Sequence, residues 1–114
     1  MSIRLILHGK VKDGMTEVFK EAGAAMTAAS KEEPGTTTYQ WFLSDDGHFM
    51  NYDVYDDEAA FFAHFGAATE SGNADKYMGA ADFEGVMVLD PVNDEMKAGL
   101  ADFGAVHYAM FEGF

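Results

Sequence analysis

Residues 32–65, EEPGTTTYQWFLSDDGHFMNYDVYDDEAAFFAHF, hold most of the groups able to do chemistry. The stretch opens on a Glu-Pro-Gly turn and ends at His64, on a Phe-rich segment with helical spacing. Histidine ordinarily titrates closest to neutrality, so His64 is the natural base for a proton on a bound molecule. The competing reading makes His64 a packing residue, bonded to Asp53 or to backbone. Of the other histidines, His8 lies on the opening strand, His48 follows a turn and is expected in solvent, and His107 is expected to pack in the tail. No pair has the His-x-x-x-His or Glu-x-x-His spacing of a metal-binding helix, so no metal ligand is assigned. The chain has no cysteine, which removes thiol nucleophiles, disulfides and thiolate metal sites. It has no Gly-x-Ser-x-Gly elbow. GKVKDG lacks the Gly-Lys-Ser/Thr ending of a phosphate loop.

The elements that must position these groups follow from periodicity. IRLILHGKVK, residues 3–12, alternates as a strand, with Ile3, Leu5, Leu7 and Val11 on one face and Arg4, Ile6, His8 and Lys10 on the other. Met15, Val18, Phe19, Ala22, Met26 and Ala29 give an apolar stripe over 15–31, a helix that Pro34-Gly35 closes. TTTYQWFL, 36–43, and HFMNYDVY, 48–55, are strands joined by the turn SDDG. Phe49, Asn51, Asp53 and Tyr55 share one face, and Met50, Tyr52 and Val54 the other. Asp56 or Asp57 caps a helix over about 57–68, with Phe61, Phe62 and Phe65 as its stripe and His64 at its edge. A short helix over 73–81, a strand over 84–92, an Asn93-capped helix ended by Gly104, and AVHYAMFEG as a fifth strand or an arm complete the chain. The order β-α-β-β-α-β plus a tail is the split βαβ, ferredoxin-like α+β arrangement, an antiparallel sheet with helices on one face. The strands are apolar on both faces. The uncovered face predicts a homodimer in which a second copy covers it.

Composition narrows the partners. Twenty acids against seven bases give a net charge of −13, and Arg4 is the sole arginine. Nucleic acid and anionic membranes are poor partners for such a surface, and so are phosphorylated substrates. No stretch approaches the ~20 apolar residues of a membrane span, and no signal peptide is read at the start, so a cytoplasmic protein is expected. The 114 residues suit one domain, 1–114, and 48% hydrophobic residues suffice for a core. A domain of this size buries only ~60–65% of its unfolded surface, and the apolar surplus again points to association.

EEPGTTTYQWFLS followed by FMNYDVYDDEAAFFAH resembles the antibiotic biosynthesis monooxygenase family of dimeric α+β barrels. The residues that carry the resemblance are Glu33, Pro34, Gly35, Tyr39, Asp53, Tyr55, Asp57, Ala59 and His64. It covers roughly residues 3–92, leaving 93–114 as a C-terminal helix and strand or arm. Asp53 stands where the family usually has Glu, and His64 where its haem-degrading members have Trp.

The resemblance implies oxidation of a small hydroxylated aromatic, a quinol or anthrone, by O2 without a cofactor. An electron-rich phenolate can pass an electron to O2 directly. The protein then has to bind the ring, take its proton, exclude water and stabilise the developing oxyanion. For that chemistry His64 is the expected base and Asp53 its orienting partner. Tyr39, Trp41, Asn51, Tyr52 and His8 are expected to line the substrate cavity. The alternative is a non-catalytic small-molecule-binding or association domain, or an isomerase, of the same fold. The two readings separate on whether His64, Asp53 and Tyr39 or Tyr52 converge on a closed cavity.

Overall fold

The computed structural model describes residues 2–114. Strand β1 (Ile3–Val11) leads into helix α1 (Thr16–Lys31), and the hairpin β2 (Thr36–Leu43) and β3 (His48–Tyr55) follows. Helices α2 (Glu58–Glu70) and α3 (Asn73–Ala80) return the chain to β4 (Ala81–Val88). Helix α4 (Asp94–Leu100), a 3-10 turn (Ala101–Phe103) and β5 (Ala105–His107) follow. The sheet order is β2-β3-β1-β4-β5, which places the first strand at the centre.

The first four strands pair antiparallel, as expected, but β5 joins β4 in parallel, so the five-stranded sheet is mixed. The parallel addition follows from the crossover: α4 carries the chain back along β4 before β5 begins, and a parallel neighbour needs such a connection. β4 also starts earlier than the expected 84–92 and stops before Pro91, which has no N–H for a ladder. Its early start comes from Phe83 and Ala81, which fill the inner face opposite Gly9 and Val11.

Every β3 residue of the set Phe49, Asn51, Asp53 and Tyr55 is buried, so the period-2 alternation holds along the whole strand. Two helices turn differently from their apolar stripes. α1 buries Phe19, Ala22, Gly23, Met26 and Ser30, and leaves Val18 exposed. α2 buries Phe61 and His64, while Phe65, expected in the core, is exposed. Phe61, His64 and Phe65 are three and four apart and all line the same cavity, but Phe65, further from the sheet, stays 43% exposed. Asp57 caps α2 by accepting a 2.9 Å hydrogen bond from Ala60 N–H, and Asn93 caps α4 from Met96 N–H, also at 2.9 Å. These short-range caps set where both helices begin.

The core has two clusters. One gathers Leu5, Tyr55, Phe61, Val88 and Met96, and the other Phe19, Met26, Phe49, Tyr77 and Ala80. Among the described residues no helix is long and apolar enough to cross a membrane.

Candidate functional site

A cavity of about 80 Å³ lies between the inner face of the sheet and helices α2 and α3. Roughly three water molecules, at ~30 Å³ each, would fill that volume. Its polar atoms come from few side chains: Tyr39, Asn51, Asp53, Tyr55, His64 and Tyr77. The register explains the first four. Tyr39 pairs with Asp53 and Trp41 with Asn51 across β2 and β3. Leu5 and Leu7 of β1 stand opposite Asp53 and Asn51. Paired residues project to the same side of a sheet, so two tyrosines, an amide and a carboxyl are set into an apolar floor. The rest of the wall is Leu, Met, Phe, Val and Ala, with Thr69, whose hydroxyl donates to the Phe65 carbonyl.

Asp53 is 2% exposed. Its Oδ2 accepts a 2.8 Å hydrogen bond from the Tyr55 hydroxyl, and its Oδ1 has no partner among the described residues. Burial pushes the carboxyl up to about 7; the Tyr55 hydrogen bond pulls it down, and the charge of Glu33 raises it further. A carboxyl in this state is poised to hold or release a proton near neutrality. The Tyr39 and Tyr77 hydroxyls are also buried without a partner among the described residues. Burial first, then the charge of Asp53, raises both phenols far above their ordinary range, so they remain neutral hydrogen-bond donors. Three unpartnered polar atoms around one small cavity are an unusual concentration in a folded core, where such groups normally find partners.

His64 lies at the cavity wall, its ring 5.1 Å from that of Tyr39 and 5.4 Å from that of Tyr55. The expected Asp53–His64 pairing is replaced by another. His64 Nδ1 is 2.9 Å from Glu33 Oε1 and 3.3 Å from the buried Ser30 hydroxyl. Thr36 Oγ1 donates to the same Glu33 oxygen at 2.8 Å. A carboxylate only accepts, so the network assigns the proton to Nδ1 and leaves Nε2 as the basic atom of the neutral ring. The reason for the exchange is local. The Glu-Pro-Gly turn drops Glu33 beside α2, and Gly35 has room only for a hydrogen where it meets Ala60.

The remaining candidates divide. Asn51 lies in the cavity wall and donates from Nδ2 to the carbonyl of Gln40 at 3.1 Å. Trp41 is on the inner face but lines a separate groove between α1 and β2, with its Nε1–H unpartnered among the described residues. Tyr52 pairs with Ile6, and His8 with Met50, on the opposite face of the sheet, so neither reaches the cavity. His8 Nδ1 lies 3.9 Å from Glu84 instead. Among the described residues no group of three or more His, Asp or Glu side chains is arranged to hold a metal ion.

Glu33, Ser30, Tyr55 and Tyr77 were not expected as site residues. Tyr55 carried a signal, since it stands two residues from Asp53 on one strand and must share its face. Tyr77 on α3 carried none. Only tertiary packing brings it opposite β3.

The family antibiotic biosynthesis monooxygenase matches residues 2–70. No curated protein matches the chain. Among solved structures, MupZ from Pseudomonas fluorescens is similar at a TM-score of 0.86 and 17% identity, over 99% of this chain and 93% of that one. SnoaB, a cofactor-independent oxygenase from Streptomyces nogalater, is similar at a TM-score of 0.68 and 15% identity, over 81% of this chain and 94% of that one. A conserved protein from Methanosarcina mazei is similar at a TM-score of 0.70 and 14% identity, over 77% of this chain and 90% of that one. At these identities the likeness is one of fold.

Proposed function

The chain belongs to the antibiotic biosynthesis monooxygenase family, and from that membership we propose that it is a cofactor-independent monooxygenase. Its substrate is a small hydroxylated aromatic, a quinol or an anthrone. The observation that carries the reading is the Asp53 carboxyl, buried against the Tyr55 hydroxyl with one oxygen free, and pushed up to about 7. A general base works best with a pKa near the operating pH.

The reaction balances without an outside reductant. An anthrone methylene and O2 become a ketone and water: the carbon gives up both hydrogens and gains one oxygen atom, and the other oxygen atom leaves with the two hydrogens. Asp53 takes the first proton, assisted by the phenol hydroxyls of Tyr39 and Tyr77, which donate to the oxyanion as the substrate enolises. The carbanion passes an electron to O2, and the radical pair closes to a carbon–peroxide bond. His64, held by Glu33 with Nε2 basic, takes the second methylene proton as the O–O bond breaks. The peroxide anion has by then taken back the proton held by Asp53, so the O–O bond breaks with loss of hydroxide, and the hydroxide takes the second proton from His64 and departs as water. The apolar wall keeps bulk water from the carbanion. Because no Lys or Arg lines the cavity and Asp53 is already at its floor, the ligand that fits is uncharged.

The protein acts as a homodimer joined through the outer sheet face, where Phe42 and Met50 are half exposed beside the partly buried Ile6, Tyr52 and Val54. The same proton-holding groups would also serve an isomerase that moves a proton between two carbons of a bound enol. Oxygen uptake separates the two chemistries. With a panel of hydroquinones and anthrones, the native protein is expected to consume O2, and Asp53→Asn to lose ~10²-fold or more, the usual scale for a general base. His64→Ala is expected to lose activity as well. Uptake no faster than the uncatalysed rate for every substrate would overturn the oxygenase.

A further inference from the structure

A second cavity lies behind His64. It occupies about 180 Å³ between α1 and α2, room for roughly six water molecules at ~30 Å³ each. Ala29 of α1 and Ala67 of α2 border it with a single methyl each, which leaves the gap open. Its polar lining is Ser30, Glu33, Ser71 and Asn73, in contrast to the apolar wall of the inner cavity. Ala29, Ala67 and Ser71 are exposed, so the space opens to solvent.

His64 is the wall between the two cavities, and its ring lines both. Nδ1 turns to Glu33 and Ser30, neither of which lines the inner cavity. Glu33 keeps 21% of its side chain in solvent, and Thr36 steadies the oxygen that His64 uses. One ring nitrogen is thus committed to the solvent side, which leaves Nε2 for the inner side. There Asp53 is buried, with Tyr55 as its only side-chain partner among the described residues. Tyr39 pairs with Asp53 across the strands, and its ring is 5.1 Å from that of His64. A buried carboxyl that gains and loses protons needs a path to water. An imidazole that accepts at one nitrogen and donates from the other supplies it. The inner cavity has a different mouth for an apolar ring. Phe65 and Met78 line it and are half exposed, and neither borders the second cavity.

We propose that the second cavity is a water-holding antechamber through which the inner site exchanges protons and releases product water, with His64 as the shuttle and Glu33 as its relay. The inference rests on the proton chemistry proposed above for the inner site. A proton accepted at Nε2 lets Nδ1–H pass its own to Glu33, which gives it to antechamber water. The ring regains its first tautomer when a proton returns through Glu33 to Nδ1 and the one on Nε2 goes to the hydroxide formed inside. The ring ends neutral, and the water made in each turnover leaves past it.

Proton exchange can be read without a substrate. In protein carrying isotope-labelled histidine, NMR follows the rate at which His64 Nδ1–H trades its proton with water, the signal being assigned by its loss in His64→Ala. It is expected to exchange at least ~10²-fold faster than the Leu5 amide of the central strand, which opens only with the core. Ala67→Leu and, separately, Ala29→Leu fill the antechamber from exposed helix positions that tolerate Leu. Each should slow the exchange ~10-fold or more. Glu33→Gln should slow it as well, and Glu33→Asp, which keeps a carboxylate, should slow it less. An Nδ1–H as slow as the Leu5 amide, or a rate that neither leucine changes, would overturn the antechamber. A rate unchanged in Glu33→Gln would overturn the relay. In oxygen uptake with a hydroquinone, the leucine variants should lower kcat and leave KM unchanged, as for a product-release step. A raised KM with kcat intact would overturn the separate exit by making this cavity the entrance of the ring. A native protein that takes up no oxygen would overturn the oxygenase alone, because the exchange rates still decide the antechamber.

Discussion

Asp53→Asn should change how stability depends on pH. The carboxyl has an ordinary value of 3.8 and is raised to about 7 in the fold, chiefly by burial. Between those values the unfolded chain has lost the proton that the folded chain keeps. The stability tied to that proton is complete below about pH 4, falls as pH rises toward 7, and is flat above it. At about 1.4 kcal/mol per unit, the full shift amounts to roughly 4 kcal/mol. Between about pH 5 and about pH 7.5 the part lost is roughly 2–3 kcal/mol, allowing for the rounding of each titration. Asn at this site does not titrate, and its side chain still accepts from the Tyr55 hydroxyl. Urea denaturation of the native protein and the variant at both pH values gives the difference of differences, in which His64 and all other groups cancel. The expected result is a native protein that loses about 2–3 kcal/mol more than the variant over this interval. Parallel pH profiles, within about 0.5 kcal/mol, would mean an ordinary, ionised carboxylate and would remove the base assigned above.

Other changes test the same geometry. Tyr77→Phe removes an unpartnered buried hydroxyl, so stability in urea should stay within about 1 kcal/mol of native or rise, while ligand affinity or turnover falls; a loss of several kcal/mol would show that the hydroxyl is bonded. Gly9→Ala sets a methyl against the Asp82 carbonyl and 2.8 Å from Phe49 Cε1, and should cost about 3 kcal/mol in urea denaturation, the upper part of the overpacking range. Asp57→Ala removes the cap that accepts from Ala60 N–H and should cost about 1 kcal/mol, read as a lower thermal midpoint, with no effect on the pH profile. Glu33→Gln keeps a hydrogen-bonding partner for His64 Nδ1 but not its negative charge; kcat should fall more than KM rises, and a KM effect alone would assign Glu33 to substrate binding.

Much of this protein is determined by local rules. The alternation of β3 places Asp53, Asn51 and Tyr55 on one face, because successive side chains of a strand point to opposite sides. Capping by Asp57 and Asn93 follows from short-range hydrogen bonds within three residues, and so does the start of each helix. The Glu-Pro-Gly turn, the pairing of β2 with β3 and the strand order of the split βαβ unit are read from the same short patterns. Tertiary structure decided what periodicity leaves open. A helix can rotate about its axis by one residue without changing its pattern, so only packing on the twisted sheet determined that His64 is buried and Phe65 is not. The same packing chose Glu33 over Asp53 as the partner of His64, since the two carboxyls lie on different segments and sequence distance says nothing of which is near. It brought Tyr77 from a distant helix to the cavity. Alternation already set Tyr52 on the face opposite Asp53, but only the pairing of β1 with β3, His8 beside Met50, put His8 on that same far side.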